Sequence, residues 1–409
     1  MPSARMQNSP TIALLSVTCD GSVSSDAIMD SARQDVAGGS LIEYQITTLA
    51  RVGIHRFLIE VENVDGSLIS LAERCRAKNR TVDFVRTGSD LQRYIKPNDR
   101  IWVQSGLLYV QLGLIETLVK MNENFVATVD SRAENSAFER IDLNTRWAGV
   151  SVVGTDIIAT LRDLPEDWSL LSSLLRQAVL AKIPFRPLAQ QHVQNGTLTI
   201  LTGAYDFAGL NRQILLRRVA SRSGFVETKI FGPLLATLVP VIWQSPIAVL
   251  TSKFAAPLVA LAAIALALAG FATAASLVAF VAIAAISLRL TVTDDADGGN
   301  HVQMMPVLTW ALIIFAMFSA VYMDRSYQYD GLFAAFAVAA LAFLTQRMSM
   351  PERAKQYLDS QAGLTIFIAA GSVLIGITAT LQWIMVLQLS ALVAISLRSD
   401  TNAKKAKQA

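Results

Sequence analysis

The sequence TVTDDADGGNH, residues 291–301, separates two of the most hydrophobic parts of the chain. Residues 254–288 before it contain no charged side chain, and neither do residues 303–323 after it. Because a transmembrane helix needs roughly 20 consecutive apolar residues, both flanks are long enough to cross a bilayer. Carboxylates at a membrane edge form either a solvated turn or a divalent-metal site. The carboxylates in question are Asp294, Asp295 and Asp297.

The composition divides the 409-residue chain into two unlike halves. The hydrophobic fraction of 53% and the mean hydropathy of +0.42 are too high for a soluble protein. The excess lies beyond residue 253, whereas charges occur every few residues up to about residue 222. The predicted organisation is a cytoplasmic α/β domain over residues 1–205, a basic helix with a Pro-rich elbow over 206–252, a six-span transmembrane domain over 253–398 and a basic cytoplasmic tail over 399–409.

Charge, cysteine content and the amino terminus exclude several classes of protein. The net charge is only +3, and no basic stripe with interleaved aromatic residues is present, which argues against nucleic acid as a partner. Cys19 and Cys75 lie far apart and imply neither a disulfide framework nor a metal site. The first apolar run, residues 11–17, is too short for a signal peptide and suits a buried strand.

Strand and helix patterns alternate through the first hundred residues. Strands are predicted over residues 11–17, 57–61, 82–86 and from residue 100, and helices over residues 40–52, 68–78 and 89–95. This alternation predicts a largely parallel sheet that is covered on both faces by helices.

The segment GGSLIEYQITTLARVGIHRFLIEV, residues 38–61, resembles the sugar nucleotidyltransferase family. Further matches are FERID at residues 138–142, WAGVSVVGTDII at 147–158 and LPEDWSLLSSLLRQAV at 164–179. The resemblance covers residues 11–187 and implies a nucleotide-diphospho-sugar transferase-like α/β domain.

The residues that carry chemistry in that family are replaced here. Its phosphate loop is glycine-rich and contains an arginine, with a lysine later. Residues 18–40 contain one early glycine, Gly21, one arginine, Arg33, and no lysine, and their aspartates would repel a triphosphate. The family's metal-binding aspartate follows a glycine after a strand, but here Leu107 follows Gly106. We therefore predict a fold that is retained without nucleotidyl transfer.

Several other side chains that could carry chemistry are predicted to be structural or exposed. Asp130 and Asp142 remain as carboxylates in the α/β domain, and each also fits a surface position. His55 and His192 have no partner pattern. Trp147 lies in an apolar pattern and is predicted to be packed in the core, as is Trp168.

The junction between the halves carries a basic cluster and several prolines. The cluster lies on a predicted amphipathic helix, and it favours either the anionic cytoplasmic leaflet, by about 1 kcal/mol per charge, or plain solvent. Its residues are Arg212, Arg217, Arg218 and Arg222. Residues 230–252 are interrupted by Pro233, Pro240 and Pro246, which favours an interfacial elbow over a straight span.

The hydrophobic half predicts six spans. Residues 254–288 suit two helices that turn near Gly270, residues 304–323 and 331–346 suit one each, and residues 360–397 suit two that turn near residues 378–382. The basic residues between and after these spans then lie almost entirely on one side, with only Arg325 on the other. The positive-inside rule places that side, with both termini, in the cytoplasm. The predicted location is therefore a bacterial-type inner membrane.

Six spans behind a nucleotidyltransferase-like domain resemble the CDP-alcohol phosphotransferases. That family binds two metal ions through Asp-x-x-Asp-Gly-x-x-Ala-Arg and two further aspartates on the third span. Asp294 and Asp297 with the following glycine reproduce the first part of the motif. His301 and Val302 replace Ala-Arg, and residues 304–323 contain no acidic residue. The resemblance thus implies Mg²⁺ as cofactor only if the acidic loop binds the metal without the two aspartates that the family has on its third span.

Two functional readings follow from this pattern. The first is a non-catalytic membrane protein related to polar-lipid or phospho-polyol synthases, which serves as a partner, regulatory or ligand-binding subunit. The alternative is a divergent Mg²⁺-dependent CDP-alcohol phosphotransferase of phospholipid metabolism that uses the loop around Asp294 and Asp297. A transporter is disfavoured because the predicted spans contain no ionisable residue. The expected partners are membrane lipids, a second copy of the chain or an active membrane synthase.

Overall fold

The computed structural model divides the chain into two compact units, Met1–Asn211 and Arg212–Ala409. The residues that it describes are 10–16, 35–36, 38–161, 168–201, 204–220, 226–243, 245–292, 300–323, 328–347 and 361–408.

The first unit alternates short strands and helices. Its strands are β1 (Ile12–Ser16), β2 (Asp35–Val36), β3 (Gly39–Ser40), β4 (Arg56–Glu60), β5 (Thr81–Val85), β6 (Arg100–Gln104), β7 (Leu108–Val110), β8 (Phe125–Asp130), β9 (Thr145–Gly154), β10 (Phe185–Pro187) and β11 (Leu198–Ile200). Its helices are α1 (Leu41–Arg51), α2 (Gly66–Arg76), α3 (Gly88–Tyr94), α4 (Leu112–Val119), α5 (Thr155–Ala159), α6 (Leu170–Leu180), α7 (Gln191–Gln194) and the start of α8 (Ala204–Ala220).

Side chains at the helix starts explain why these helices begin where they do. Ser40 accepts a hydrogen bond from the backbone N–H of Glu43 and caps α1, and Asp65 caps α2 in the same way. Such caps satisfy backbone N–H groups that have no partner within the helix. The observed elements differ from the predicted ones by one or two residues at each end.

The main sheet has seven strands in the order β10-β8-β9-β6-β1-β4-β5. Strand β1 pairs in parallel with β4 and β6, β4 pairs with β5, and β8 pairs with β10. Strand β9 runs antiparallel to its neighbours β6 and β8. The sheet is therefore mostly parallel, which confirms the α/β class predicted for the amino-terminal domain.

Alternate residues of β1 enter two hydrophobic cores on opposite faces of the sheet. Ala13 and Leu15 belong to the core that also receives side chains from α1, α2 and α4. Ile12 and Leu14 belong to the core that receives side chains from α3, α5 and α6. Because successive side chains of a strand point to opposite faces, a strand buried on both faces is continuously apolar, as the run from Ile12 to Leu15 is.

The second unit is helical. After a π-helical turn, Glu227–Phe231, its helices are α9 (Gly232–Trp243), α10 (Pro246–Leu268), α11 (Ala272–Val292), α12 (Asn300–Met323), α13 (Gln328–Arg347), α14 (Gln361–Ile375) and α15 (Ile377–Gln408). Residues 230–252 were predicted to form an elbow. Within this range, Gly232–Trp243 form helix α9 with Pro240 inside it, and residues 246–252 form the start of α10, whose first residue is Pro246.

Among the described residues of this unit, glycines with positive φ make two sharp turns between helices. Gly270 has φ +85° and joins α10 to α11, at the predicted position. Gly376 also has φ +85° and separates α14 from α15. The second turn was expected near residues 378–382, but it lies at Gly376. Glycine adopts a positive φ without steric cost, and residues 378–382 contain no glycine.

Many of the buried residues of the second unit are alanines, and many of its large apolar side chains are exposed. Ala260, Ala263 and Ala335 are fully buried, whereas Phe333 is 67% exposed and Leu374 is 81% exposed. A water-soluble protein buries its large side chains, but helices in a membrane approach closely through small residues and expose large ones to lipid. The described surface of the second unit thus carries many large apolar side chains.

Within the described residues, one helical segment, Ala272–Arg289, is both long and apolar enough to cross a membrane. Six apolar segments of the second unit are shorter: Lys229–Ile242, Phe254–Leu268, Ala311–Tyr322, Asp330–Phe343, Gly363–Ile375 and Ile377–Val393. The described residues thus support a helical carboxy-terminal half with one membrane-capable helix, and they do not show the six predicted spans.

Candidate functional site

The strand order of the main sheet has a switch point between β1 and β6. Strands β4 and β5 lie on one side of β1, and β6 lies on the other. In open α/β sheets, ligands bind outside the carboxyl ends of the strands at such a switch point. The segment after β1, residues 17–34, lies outside the described residues. The described part of the edge is therefore built by the turn after β6.

A neutral amide holds that turn in place. Gln45 of α1 is 1% exposed, and its Nε2 donates to the carbonyl oxygens of Ser105 at 3.0 Å, Gly106 at 3.3 Å and Leu108 at 2.8 Å. The amide has two hydrogens for three acceptors, so the shorter contacts to Ser105 and Leu108 dominate. The turn is thus fixed by an uncharged side chain.

A second amide supports the same turn from within β6. Trp102 Nε1 donates to Gln104 Oε1 at 3.0 Å, which orients the Gln104 amide. Gln104 Nε2 then donates to the carbonyl oxygen of Leu108 at 3.3 Å. Trp102, Gln104 and Leu108 are all buried. Buried polar groups that have partners rigidify the backbone that they contact.

Leu107 occupies the position of the expected metal-binding carboxylate. Leu107 is 6% exposed, and its carbonyl oxygen accepts a hydrogen bond from the backbone N–H of Leu201 at 2.9 Å. An apolar side chain cannot ligate Mg²⁺, which requires oxygen ligands. Among the described residues, no group of three or more His, Cys, Asp or Glu side chains could hold a metal ion. The described residues at this edge therefore do not fit a bound metal.

Glu60 is a buried carboxylate at the carboxyl end of β4 that the sequence analysis did not single out. It is 4% exposed, and its Oε1 accepts a hydrogen bond from the backbone N–H of Leu170 at 2.9 Å. Leu170 is the first residue of α6, where N–H groups have no partner within the helix and the helix dipole favours an anion. The arrangement connects β4 to α6.

The two carboxylates left open by the sequence have local partners. Asp130 ends β8 with its side chain 65% exposed and pairs with Arg132 at 3.1 Å. Asp142 Oδ1 accepts hydrogen bonds from the backbone N–H groups of Asn144 and Thr145, each at 2.8 Å. The bond from Asn144, aided by Thr145 and the charge of Arg140, holds the pKa of Asp142 below its ordinary value. These contacts make Asp142 a turn residue.

The histidines and tryptophans divide into confirmed and wrong predictions. His55 is exposed, and His192 Nδ1 lies 3.1 Å from Thr197 Oγ1, so both are surface or structural residues as predicted. Trp147 is buried, and its Nε1 donates to Ser151 Oγ at 2.8 Å. Trp168, however, is 49% exposed. It precedes the cap residue of α6, outside the helical repeat that buries the following leucines.

The acidic loop and half of the basic cluster fall outside the described side chains. Asp294, Asp295 and Asp297 belong to residues 293–299, between the end of α11 and the start of α12. Of the basic cluster on α8, Arg212 is exposed and Arg217 is half-buried; the side chain of Arg218 and the whole of Arg222 are not described. Both sites therefore stay predictions.

The amino-terminal half of the chain is similar to several solved structures. One is the inositol-1-phosphate CTP transferase from T. maritima, with 11% identity and a TM-score of 0.34 over 48% of this chain and 91% of that chain. Another is HddC from Yersinia pseudotuberculosis, with 14% identity and a TM-score of 0.36 over 50% and 99%. A third is a nucleoside-diphosphate-sugar pyrophosphorylase from Vibrio cholerae RC9, with 9% identity and a TM-score of 0.35 over 49% and 99%. No family model and no curated protein matches the chain.

Proposed function

We propose that this chain is an integral membrane protein whose α/β domain binds a ligand without transferring a nucleotidyl group. In this proposal it acts as a ligand-binding, partner or regulatory subunit beside an active polar-lipid or phospho-polyol synthase. The observation that carries the proposal is the buried Leu107, which replaces the metal-binding carboxylate in a turn held by neutral amides.

The geometry at the sheet edge supports binding without turnover. Nucleotidyl transfer needs positive charge, usually a metal ion, to stabilise the charge that develops on the transferred phosphate. Leu107 supplies none, and Gln45 and Gln104 are neutral. The switch point between β1 and β6 nevertheless retains the position at which sheets of this kind bind ligands.

The side chains of the second unit support the membrane location. Large apolar groups such as Phe336, 65% exposed, and Phe367, 69% exposed, would each cost free energy in water and none in lipid. We propose the six-span arrangement with both termini in the cytoplasm, since it leaves one basic residue, Arg325, on the opposite side. In this arrangement the basic cluster from Arg212 to Arg222 faces the anionic leaflet.

Two assays on the purified full-length chain in lipid nanodiscs test the absence of turnover. The first measures pyrophosphate release from nucleoside triphosphates mixed with sugar or polyol phosphates. The second measures CMP release from a CDP-alcohol mixed with an acceptor alcohol. Each is run with Mg²⁺ and with Mn²⁺. We expect neither product above the level of empty nanodiscs, while calorimetry detects nucleotide or sugar-phosphate binding. Metal-dependent release of either product would overturn the proposal.

The acidic loop supplies the matched variants for these assays. Should the native chain release CMP, a phosphotransferase site in the acidic loop predicts that Asp297→Ala abolishes the release. Asp330→Ala, which removes an exposed carboxylate at the start of α13, leaves it unchanged. That pattern would establish the alternative enzyme. Topology is tested separately with a reporter fused after Ala409, because a reporter located outside the cytoplasm contradicts the six-span arrangement.

A further inference from the structure

A cavity of about 340 Å³ lies inside the second unit. Five helices surround it in the order α11, α12, α13, α15 and α14, and each packs against the next, with α14 closing the ring against α11. Alanines supply much of its wall, among them Ala275 and Ala320, because their short side chains leave the centre of the ring unfilled. The cavity thus follows from the small residues that let these helices approach.

The cavity has a closed end and an open end. Ala320, Val338 and Ile377 line it and are each less than 5% exposed, so the cavity is closed to the surface where they lie. Ile314 of α12 and Phe343 of α13 also line it but are 38% and 55% exposed. The mouth therefore lies beside these two side chains, between α12 and α13, and it opens onto the surface that carries the large apolar side chains.

The lining offers nothing to a polar ligand. Its described side chains carry no charge, and its only hydroxyl groups belong to Ser276 and Thr365. Ser276 Oγ donates to the carbonyl oxygen of Thr273 at 2.8 Å and lies 2.7 Å from Ser372 Oγ, and Thr365 also has a partner. An apolar cavity excludes water and accepts apolar molecules, whereas a headgroup, ion or nucleotide would lose its hydrogen bonds there.

We propose that this cavity binds one alkyl chain of a membrane lipid, which enters between Ile314 and Phe343. The inference rests on the membrane location proposed above, since alkyl chains are then the molecules that contact the mouth. An unfilled cavity destabilises a protein in proportion to its volume, so an apolar chain that fills it stabilises the bundle. The lipid thereby becomes part of the core of the second unit.

The experiment compares lipid retention by cavity-filling and surface variants of the full-length chain. Ala320→Phe fills the closed end, whereas Ala311→Phe adds the same side chain to an exposed position of the same helix. Each protein is stripped with detergent and offered a straight-chain diacyl phosphatidylglycerol or a polyisoprenyl phosphate. Native mass spectrometry then counts the bound lipid. Ala316→Leu, a smaller change in the same wall, replaces Ala320→Phe if that variant does not fold.

The expected result is one bound lipid per chain for the native protein and for Ala311→Phe, and at least a tenfold loss of affinity for the cavity variant. The two lipids identify whether the chain is straight or isoprenoid. Equal retention by a folded cavity variant overturns the inference, as does displacement of the lipid by glycerol phosphate, which has a headgroup and no chain. Absence of retained lipid from native protein that still floats with carbonate-washed liposomes overturns the inference alone. A chain that fails to float overturns the membrane location as well.

Discussion

The side-chain amide of Gln45 donates to the carbonyl oxygen of Leu108 at 2.8 Å, across 63 residues of sequence. The bond joins a helix that covers the sheet to the turn that follows β6, at the carboxyl edge of the sheet. Because both groups are buried, water cannot replace either partner. The geometry of the proposed ligand site therefore depends on uncharged side chains, Gln45 and, from within β6, Gln104.

Replacing Gln45 should destabilise the α/β unit. In Gln45→Leu the carbonyl oxygen of Gly106 loses this donor, whereas that of Ser105 keeps the backbone N–H of Leu108. A buried acceptor without a partner costs about 1–3 kcal/mol. Chemical unfolding followed by fluorescence measures the free energy of unfolding. Gln191→Leu, at an exposed position of α7, should change it by less than about 0.5 kcal/mol. Equal loss in both variants would contradict the role given to Gln45.

Asp99 should make the first unit sensitive to acid. Burial by itself raises the pKa of this carboxyl, but bonds from the Lys96 backbone N–H, Thr11 and Arg56 outweigh it and hold the pKa below its ordinary value. In the unfolded chain the pKa of an aspartate is about 3.9. The stabilisation is therefore complete above that pH and is lost as the pH falls through the lower folded pKa.

The variant Asp99→Asn tests this dependence. We expect it to be less stable than the native chain by about 1–3 kcal/mol at pH 7, since charge-assisted bonds are lost, and to lose less further stability between pH 4 and lower pH. Unfolding curves collected over this range measure both effects. Asp130→Asn removes an exposed ion pair and should cost at most about 1 kcal/mol. An unchanged acid dependence in Asp99→Asn would disprove the assignment.

Phe336 distinguishes a membrane surface from a water-exposed one. In lipid, Phe336→Asp should impair insertion, because an aspartate near the centre of a transmembrane helix costs about 3 kcal/mol. In water the same change would be tolerated, since the side chain is 65% exposed. The amount of protein in the membrane fraction measures the effect. Leu180→Asp, at a 66% exposed position of the α/β unit, is the control and should insert normally.

Gly371 sets how closely α14 approaches α15. A Cβ atom added there would lie 2.4 Å from Thr380 Cγ2, closer than atoms pack. Gly371→Ala should therefore destabilise the helical unit by about 1–3 kcal/mol, and less so when Thr380 is also alanine. Thermal unfolding in detergent of both single variants and the double variant measures the coupling. Gly209→Ala on α8 meets no atom within 4 Å and should be neutral or mildly stabilising.

Local patterns anticipated β1, β4, β5 and β6 and helices α1 to α3, but none of the elements between β6 and α8, and they missed most of the site. Periodicity also contained a signal for Gln45, because one helical turn separates it from the buried Leu41 and Leu49, so it lies on the buried face of α1. No local pattern indicated its partner. Glu60 likewise resembled any strand-end carboxylate until the structure brought the start of α6 to it.

The sequence by itself determined the division into a charged half and an apolar half and the alternation of strands and helices, and it predicted that Leu107 stands where the resembled family has a metal-binding carboxylate. These properties depend on residue type and short spacing, which are local. Only the tertiary structure decided the strand order, the amide network of Gln45 and the contact between Ser276 and Ser372, which are 96 residues apart. Such contacts depend on how distant segments pack, and hydrophobic periodicity specifies which face of an element is buried without specifying against which partner.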